Sequence, residues 1–406
     1  MSSEPTTQIE TVDVADPTTH RHTRPDAIPA LTGLRIIGAA WVVLYHMQPT
    51  LYEAWSGLRA FEPILAIGDY GVPLFFILSG FIIWHNYGRR DLLAPRATVR
   101  FVWRRFARLW PVNVAMAAAS IPLIWWAVNS QGYWGAPVPW WYSVRGWLAS
   151  AFMVTSIGSA EPVFAWNQPS WTLTGEMLAY IVFPLLLILA LVGRVGRARH
   201  RWPWLIAAFA LAYFAKSAYA SYPFRWIVDL LVIFLVGVLI RVAGRPMRFP
   251  WLTSTLQIAV PVGIVLAAYL GRGDLITLLL AIWVWALAAP TGPAVWLFSS
   301  KPFQIAGLSS YSVYMSHWVV FGYGSLLLFY VPWIKEHALP IYVVLILCVV
   351  AAFSWAMWRF FESPARELLN RIFERLWPQR RRAEEPVAST PAASPLAFGP
   401  DAVAHD

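Results

Sequence analysis

Leu31-Thr-Gly-Leu-Arg35-Ile-Ile-Gly-Ala-Ala-Trp-Val-Val-Leu-Tyr-His46 sets an arginine and a histidine inside an otherwise apolar run that continues to Leu51. About 20 apolar residues at roughly 1.5 Å per helical residue cross the ~30 Å hydrocarbon layer, so this stretch predicts a transmembrane helix. The two ionisable groups stand eleven positions apart. That is about three turns, or roughly 16 Å, so both project from nearly one face at two depths. Ionisable groups inside a span are costly and generally face a cavity or a partner, which makes the pair a functional candidate. Taken alone, it fits equally a snorkelling interfacial arginine and a hydrogen-bonded packing histidine.

The rest of the chain follows the same pattern. The 406 residues are 58% hydrophobic and only 13% charged, more apolar than a soluble core requires. Apolar segments recur at roughly 31–51, 69–87, 109–128, 171–193, 203–220, 225–241, 253–270, 274–290, 308–331 and 339–361. The expectation is an all-α polytopic membrane protein of about ten transmembrane helices, with a shorter interfacial or re-entrant helix near 146–157. Taking alternate loops as one face puts 25 of the 31 Lys and Arg on that face and 6 on the other. By the positive-inside rule both termini are then cytoplasmic. Net charge +10 is thereby explained by loops flanking spans, and no nucleic-acid partner is expected. Many of the 25 Trp stand beside span ends, where amphipathic rings favour the interface. The polar first 28 residues are neither a span nor a cleavable signal peptide and predict a disordered cytoplasmic tail; 367–406 predict a basic, then disordered, cytoplasmic tail. One cysteine, Cys348, excludes an intramolecular disulfide framework and a thiolate cluster, and no metal-ligand set, phosphate loop or nucleophile elbow occurs.

Further polar groups cluster at span ends. Pro169-Ser-Trp-Thr-Leu-Thr-Gly-Glu176-Met-Leu-Ala-Tyr180 opens the fourth span. Under the assigned topology Glu176 lies as far below the outer surface as His46, where a carboxylate would orient the imidazole and raise its basicity for work as a general base; a buried ion pair joining two helices fits as well. Arg105 and Arg108 share one helix face at i, i+3 spacing. Guanidinium forks bind phosphates bidentately, whereas a plain basic flank is the simpler account. Phe75-Phe-Ile-Leu-Ser79-Gly-Phe81 and Ser310-Tyr311-Ser-Val-Tyr-Met-Ser-His317-Trp318 add small and polar groups within spans. Glu362 precedes Pro364 and Arg366 and is expected to form a terminal salt bridge with that arginine.

These residues resemble the acyltransferase 3 family of bacterial membrane enzymes, which O-acylate envelope glycans and some secreted small molecules. Arg35 with His46, Phe75 to Phe81, Arg105 with Arg108, Ser170 to Tyr180, Ser310 to Trp318, and Glu362 to Arg366 match its six motifs in order over roughly 29–366. Where many members carry paired glutamates, Glu176 is followed by Met177. The resemblance implies a stand-alone transmembrane acyltransferase domain without a fused esterase-like domain, in the bacterial cytoplasmic membrane. It implies no bound cofactor, acyl-CoA (acetyl-CoA above all) as donor substrate approaching from the cytoplasm, and a glycan or glycosylated small molecule as acceptor. His46 and Glu176 are then catalytic, Arg35, Arg105 and Arg108 hold the donor, and Ser79, Tyr311, His317 and Glu362 support them. Direct transfer and an acyl-histidine intermediate remain open. A transporter or flippase, whose buried His, Glu and Arg would form a proton relay, and a scaffold without chemistry are the alternatives.

Overall fold

A computed structural model describes residues 28–88, 92, 94–130, 139–192, 202–217, 224–244 and 250–378, and these are helical or irregular, with no strand among them. Of the tails expected at 1–28 and 367–406, residues 1–27 and 379–406 lie outside the described residues, as do the basic loop residues Arg89, Arg90, Arg194, Arg197, Arg199, Arg201, Arg245 and Arg248. All ten apolar segments fall in helices: α1 (Pro29–Ala54), α3 (Gly71–Tyr87), α4 with α5 (Pro95–Ala119, Ile121–Ser130), α7 (Trp171–Val192), α8 (Trp202–Ser217), α9 (Arg225–Ala243), α10 (Pro250–Tyr269), α11 (Ile276–Leu287), α13 (Lys301–Tyr330) and α15 (Leu339–Met357). Short helices α2 (Glu62–Leu65), α6 (Val144–Ala151), α12 (Pro293–Ser299) and α14 (Pro332–His337) lie between them, and α16 (Ser363–Leu376) follows. Among the described residues six helices are long and apolar enough to cross a membrane, seven if the bent Ser56–Leu65 and Gly68–Tyr87 pair is one span. Apolar side chains such as Ile258, Val262 and Leu266 on α10 and Ile341, Val344 and Leu345 on α15 are exposed, as lipid contact requires.

Small residues set the helix directions. A Cβ at Gly307 would meet the Thr32 carbonyl oxygen at 2.0 Å, and Gln304 donates to the Pro29 carbonyl, so α13 runs parallel to α1. Tyr311 donates to the Leu109 carbonyl and Tyr323 to that of Ala119, so α4 runs with them. Gly71 packs on Gly38 while Phe75 lies beside Arg35, so α3 descends against α1. Phe183 of α7 meets Trp84 of α3 and Phe234 of α9, and Ser316 bonds Ser354 on the returning α15.

The segment around 146–157, expected as an interfacial or re-entrant helix, folds back against the bundle: Asn113 of α4 donates to the Ser150 and Ala151 carbonyls, and Asn167 donates to the Met315 carbonyl in the middle of α13. Proline at 364 does not end the chain's helix. A π turn, Trp358–Glu362, joins α15 to α16, because proline is tolerated in the first turn of a new helix. Residues 367–376, placed in the tail by sequence, are therefore helical, and α16 docks on α4 through Glu374 with Arg100 at 2.9 Å and a stack of Phe373 on Trp103.

The crossing of α3 on α9 is as close as that of α1 on α13: a Cβ at Gly237 would lie 2.0 Å from the Ile77 carbonyl oxygen. Gly237→Val forces these backbones apart, and overpacking costs about 1–3 kcal/mol. Fluorescence-detected size-exclusion chromatography should show a lower melting temperature and less folded protein than wild type, with Gly57→Val, in open space, unaffected.

Candidate active site

Two imidazoles meet where α1 and α13 run side by side. His317 Nε2 lies 3.2 Å from His46 Nδ1. His46 Nδ1 is also 3.1 Å from the Val42 carbonyl, and His317 Nδ1 is 3.2 Å from that of Val313. A carbonyl oxygen only accepts, so in the neutral pair both Nδ1 atoms carry the proton and His317 Nε2 accepts from His46. His46 Nε2 is left as an unprotonated nitrogen with no hydrogen bond to any described residue. His317 is completely buried, and His46 is half-buried in the wall of a cavity of about 540 Å³ that also touches Trp126, Trp166, Trp318 and Tyr342. Trp318 sets its edge against the His46 ring at 5.4 Å.

A second cavity lies on the Arg35 side. It is narrow, about 30 Å³, room for roughly two or three waters, and its walls include Arg35, Ser79, Arg108, Glu176, Tyr311 and Tyr314. Glu176 accepts from Tyr180, one helical turn away, and from Ser79 at 3.5 Å. Arg35 lies over Phe75 at 5.8 Å, and its buried Nε has no hydrogen-bond partner. Arg105 stands just outside this cavity over the rings of Tyr87, Phe101 and Tyr180, again with a buried, unpartnered Nε. Ring contacts bridge the two cavities: Tyr314 is 6.1 Å from His317, which bonds His46.

Arg35 and Arg108, expected to act together, share this cavity with Glu176, Ser79 and Tyr311, and Arg105 stands beside them. The expected Glu176–His46 pair does not form. Glu176 faces the arginines, and His317 holds the imidazole instead. The depth argument failed because it placed Trp171 at the outer surface, whereas the folded-back segment before it reaches the middle of α13, lowering α7 toward Arg35. Glu362 does not form the expected salt bridge with Arg366. The π turn points it inward, where Ser312 donates to it at 2.7 Å and it is 2% exposed. Tyr180 and Tyr314 were not singled out, although Tyr180 stands four positions after Glu176 and Tyr314 three before His317, spacings that bring helical side chains together.

Buried ionisable groups on inward faces of an apolar helical bundle, with one unencumbered imidazole nitrogen in a cavity wall, define a membrane-embedded enzyme more readily than a channel or scaffold. The chain belongs to the acyltransferase family whose model, described as the acyltransferase domain of type 3, matches residues 28–359. It is 27% identical over 328 residues to the putative membrane-bound transacylase BcsY of Komagataeibacter xylinus, covering 74% of each chain. It is 29% identical over 191 residues to the acyltransferase MdmB of Streptomyces mycarofaciens, covering 46% of this chain and 44% of that one. No solved structure matches it. The chain is a membrane acyltransferase, and the transporter and scaffold alternatives are set aside.

The hydrogen-bond pattern assigns the tautomers. Solid-state NMR of the ¹⁵N-histidine-labelled protein in lipid should show His46 and His317 as neutral Nδ1–H rings, identified by loss of their signals in His46→Ala and His317→Leu. Nε2–H rings at both positions would contradict the arrangement.

Proposed function

We propose that the protein moves a short acyl group, acetyl above all, from acyl-CoA to a hydroxyl of a glycan or glycosylated small molecule at the far side of the bacterial inner membrane. The observation carrying this reading is the chain Tyr314–His317–His46 between an arginine-lined cavity and a wide outer one. Ten spans with both termini cytoplasmic accord with the helix directions, since α1, α4 and α13 run one way and α3, α7 and α15 the other.

Arg35, Arg105 and Arg108 meet the donor's phosphates or the polar length of its arm, since guanidinium donors left unengaged within a bundle suit an anion or a row of carbonyls. Glu176, held by Tyr180 and Ser79, positions the arginines and keeps their charge from standing uncompensated. At the outer cavity His46 Nε2 takes the proton of the acceptor hydroxyl. The oxygen attacks the thioester carbonyl, the carbon–sulfur bond breaks, and the coenzyme A thiolate leaves and recovers the proton. His317 accepts the His46 Nδ1–H throughout and stabilises the imidazolium, as a third group does in nucleophile–base–orienter sets. If His46 instead takes the acyl group on Nε2, the same hydrogen bond holds the ring.

His46→Ala should abolish acyl transfer while leaving the protein folded in membranes, measured as acyl mass gained by envelope glycans or secreted metabolites against a deletion strain. Wild-type acylation by this variant would sink the reading. Arg108→Ala should raise KM for acyl-CoA about tenfold or more, the loss of one charged hydrogen bond. An unchanged KM for the donor would remove Arg108 from its binding.

A further inference from the structure

The outer cavity is wide and carries no fixed charge. Its volume of about 540 Å³ falls in the roughly 300–1,000 Å³ range of sites that enclose a drug-sized ligand. No Asp, Glu, Lys or Arg lines it among the described residues. Trp126, Trp166, Trp318 and Phe329 present rings to it. Trp126 is held by the bond from its Nε1 to the Tyr330 hydroxyl at 2.6 Å, and Trp318 is set by its contact with His46. The polar groups of the wall are matched to hydroxyls. Ser120 and Ser325 each spend their proton on a backbone carbonyl of their own helix, which leaves their oxygens free to accept. The Trp166 indole N–H is buried without a partner, an unspent donor. Lys335, on the short helix α14 that follows α13, is taken by Glu53 at 3.2 Å.

We propose that this cavity is the acceptor site and that it selects an uncharged, hydroxylated ring, laid against an indole with its reacting hydroxyl at His46 Nε2. The proposal rests on the transfer reading above. The C–H face of such a ring packs on an aromatic surface, and its remaining hydroxyls find the serine oxygens. A ring bearing a carboxylate or phosphate would lose its hydration with no cation present to offset the loss. The two cavities thereby sort their substrates by charge, the anionic donor to the arginines and the neutral acceptor to the tryptophans.

Saturation-transfer difference NMR on the full chain in lipid nanodiscs tests this without a donor. The probes are methyl β-glucopyranoside and methyl β-glucopyranosiduronate, which share a ring and differ in one carboxylate. The neutral ring should receive saturation at its C–H protons, and the uronate should bind about tenfold more weakly or worse, a ~1.4 kcal/mol difference. Trp318→Leu and Trp126→Leu should each reduce the neutral signal, whereas Trp251→Leu, 70% exposed on α10, should not. Trp318→Phe, which keeps a ring and disturbs packing less, should retain more of the signal than Trp318→Leu. Equal signals from both probes, no signal from either, or a signal that survives both leucine variants overturns the proposal. Because binding is read without acyl-CoA, failure here is distinct from failure of the transfer reading, which is decided by acylation in His46→Ala.

Discussion

Hydrocarbon offers no hydrogen bonds, so a polar side chain carried into a bundle of spans must find its partner on a neighbouring helix. The contact between His46 and His317 meets that demand for α1 and α13, and much of the bundle's geometry serves it. Gly307 lets α13 touch the backbone of α1 at Thr32 and Gly33 near the starts of both helices, and further along the same pair of helices the rings come within 3.2 Å. Val42 and Val313 then supply the carbonyls, each one turn before its histidine, that hold the proton on the inner nitrogen of each ring. Gly33 in turn lets the α12 backbone at Phe298 close on α1.

The helical class was legible in the sequence because the length of an apolar run and the sign of its flanking charges are local properties. All ten segments are helices for that reason. Arg35, Arg108 and Glu176 were legible as candidates because a charge in an apolar run is conspicuous wherever it stands. Which of them meet was not legible. Pairing Glu176 with His46 required the depth of α7, and that depth depends on residues 144–170 folding back against α4 and α13, an arrangement made by Asn113 and Asn167 reaching backbone carbonyls far away in sequence. Glu362 was misjudged for a similar reason. Its neighbour Arg366 is one turn away in an α-helix, but a single π turn rotates the carboxylate into the bundle, toward Ser312.

The arginine-lined cavity is a place where stability is given up. A buried polar donor left unpaired costs about 1–3 kcal/mol, and more for a charged group. Arg35 and Arg105 both keep such a donor, although Glu176 lies in the same cavity wall as Arg35. The hydroxyls of Tyr180 and Ser79 instead both donate to one carboxylate oxygen, Oε1. A bundle selected for stability alone would close the ion pair. Holding the carboxylate with neutral hydroxyls supplies counter-charge at a short distance without occupying the guanidinium forks, so the cations are tolerable inside the protein and still free to engage something else. The two cavities differ in the same way: arginines and a carboxylate wall the narrow one, whereas the wide one beside His46 is walled by aromatic rings and hydroxyls with no Asp, Glu, Lys or Arg among the described residues.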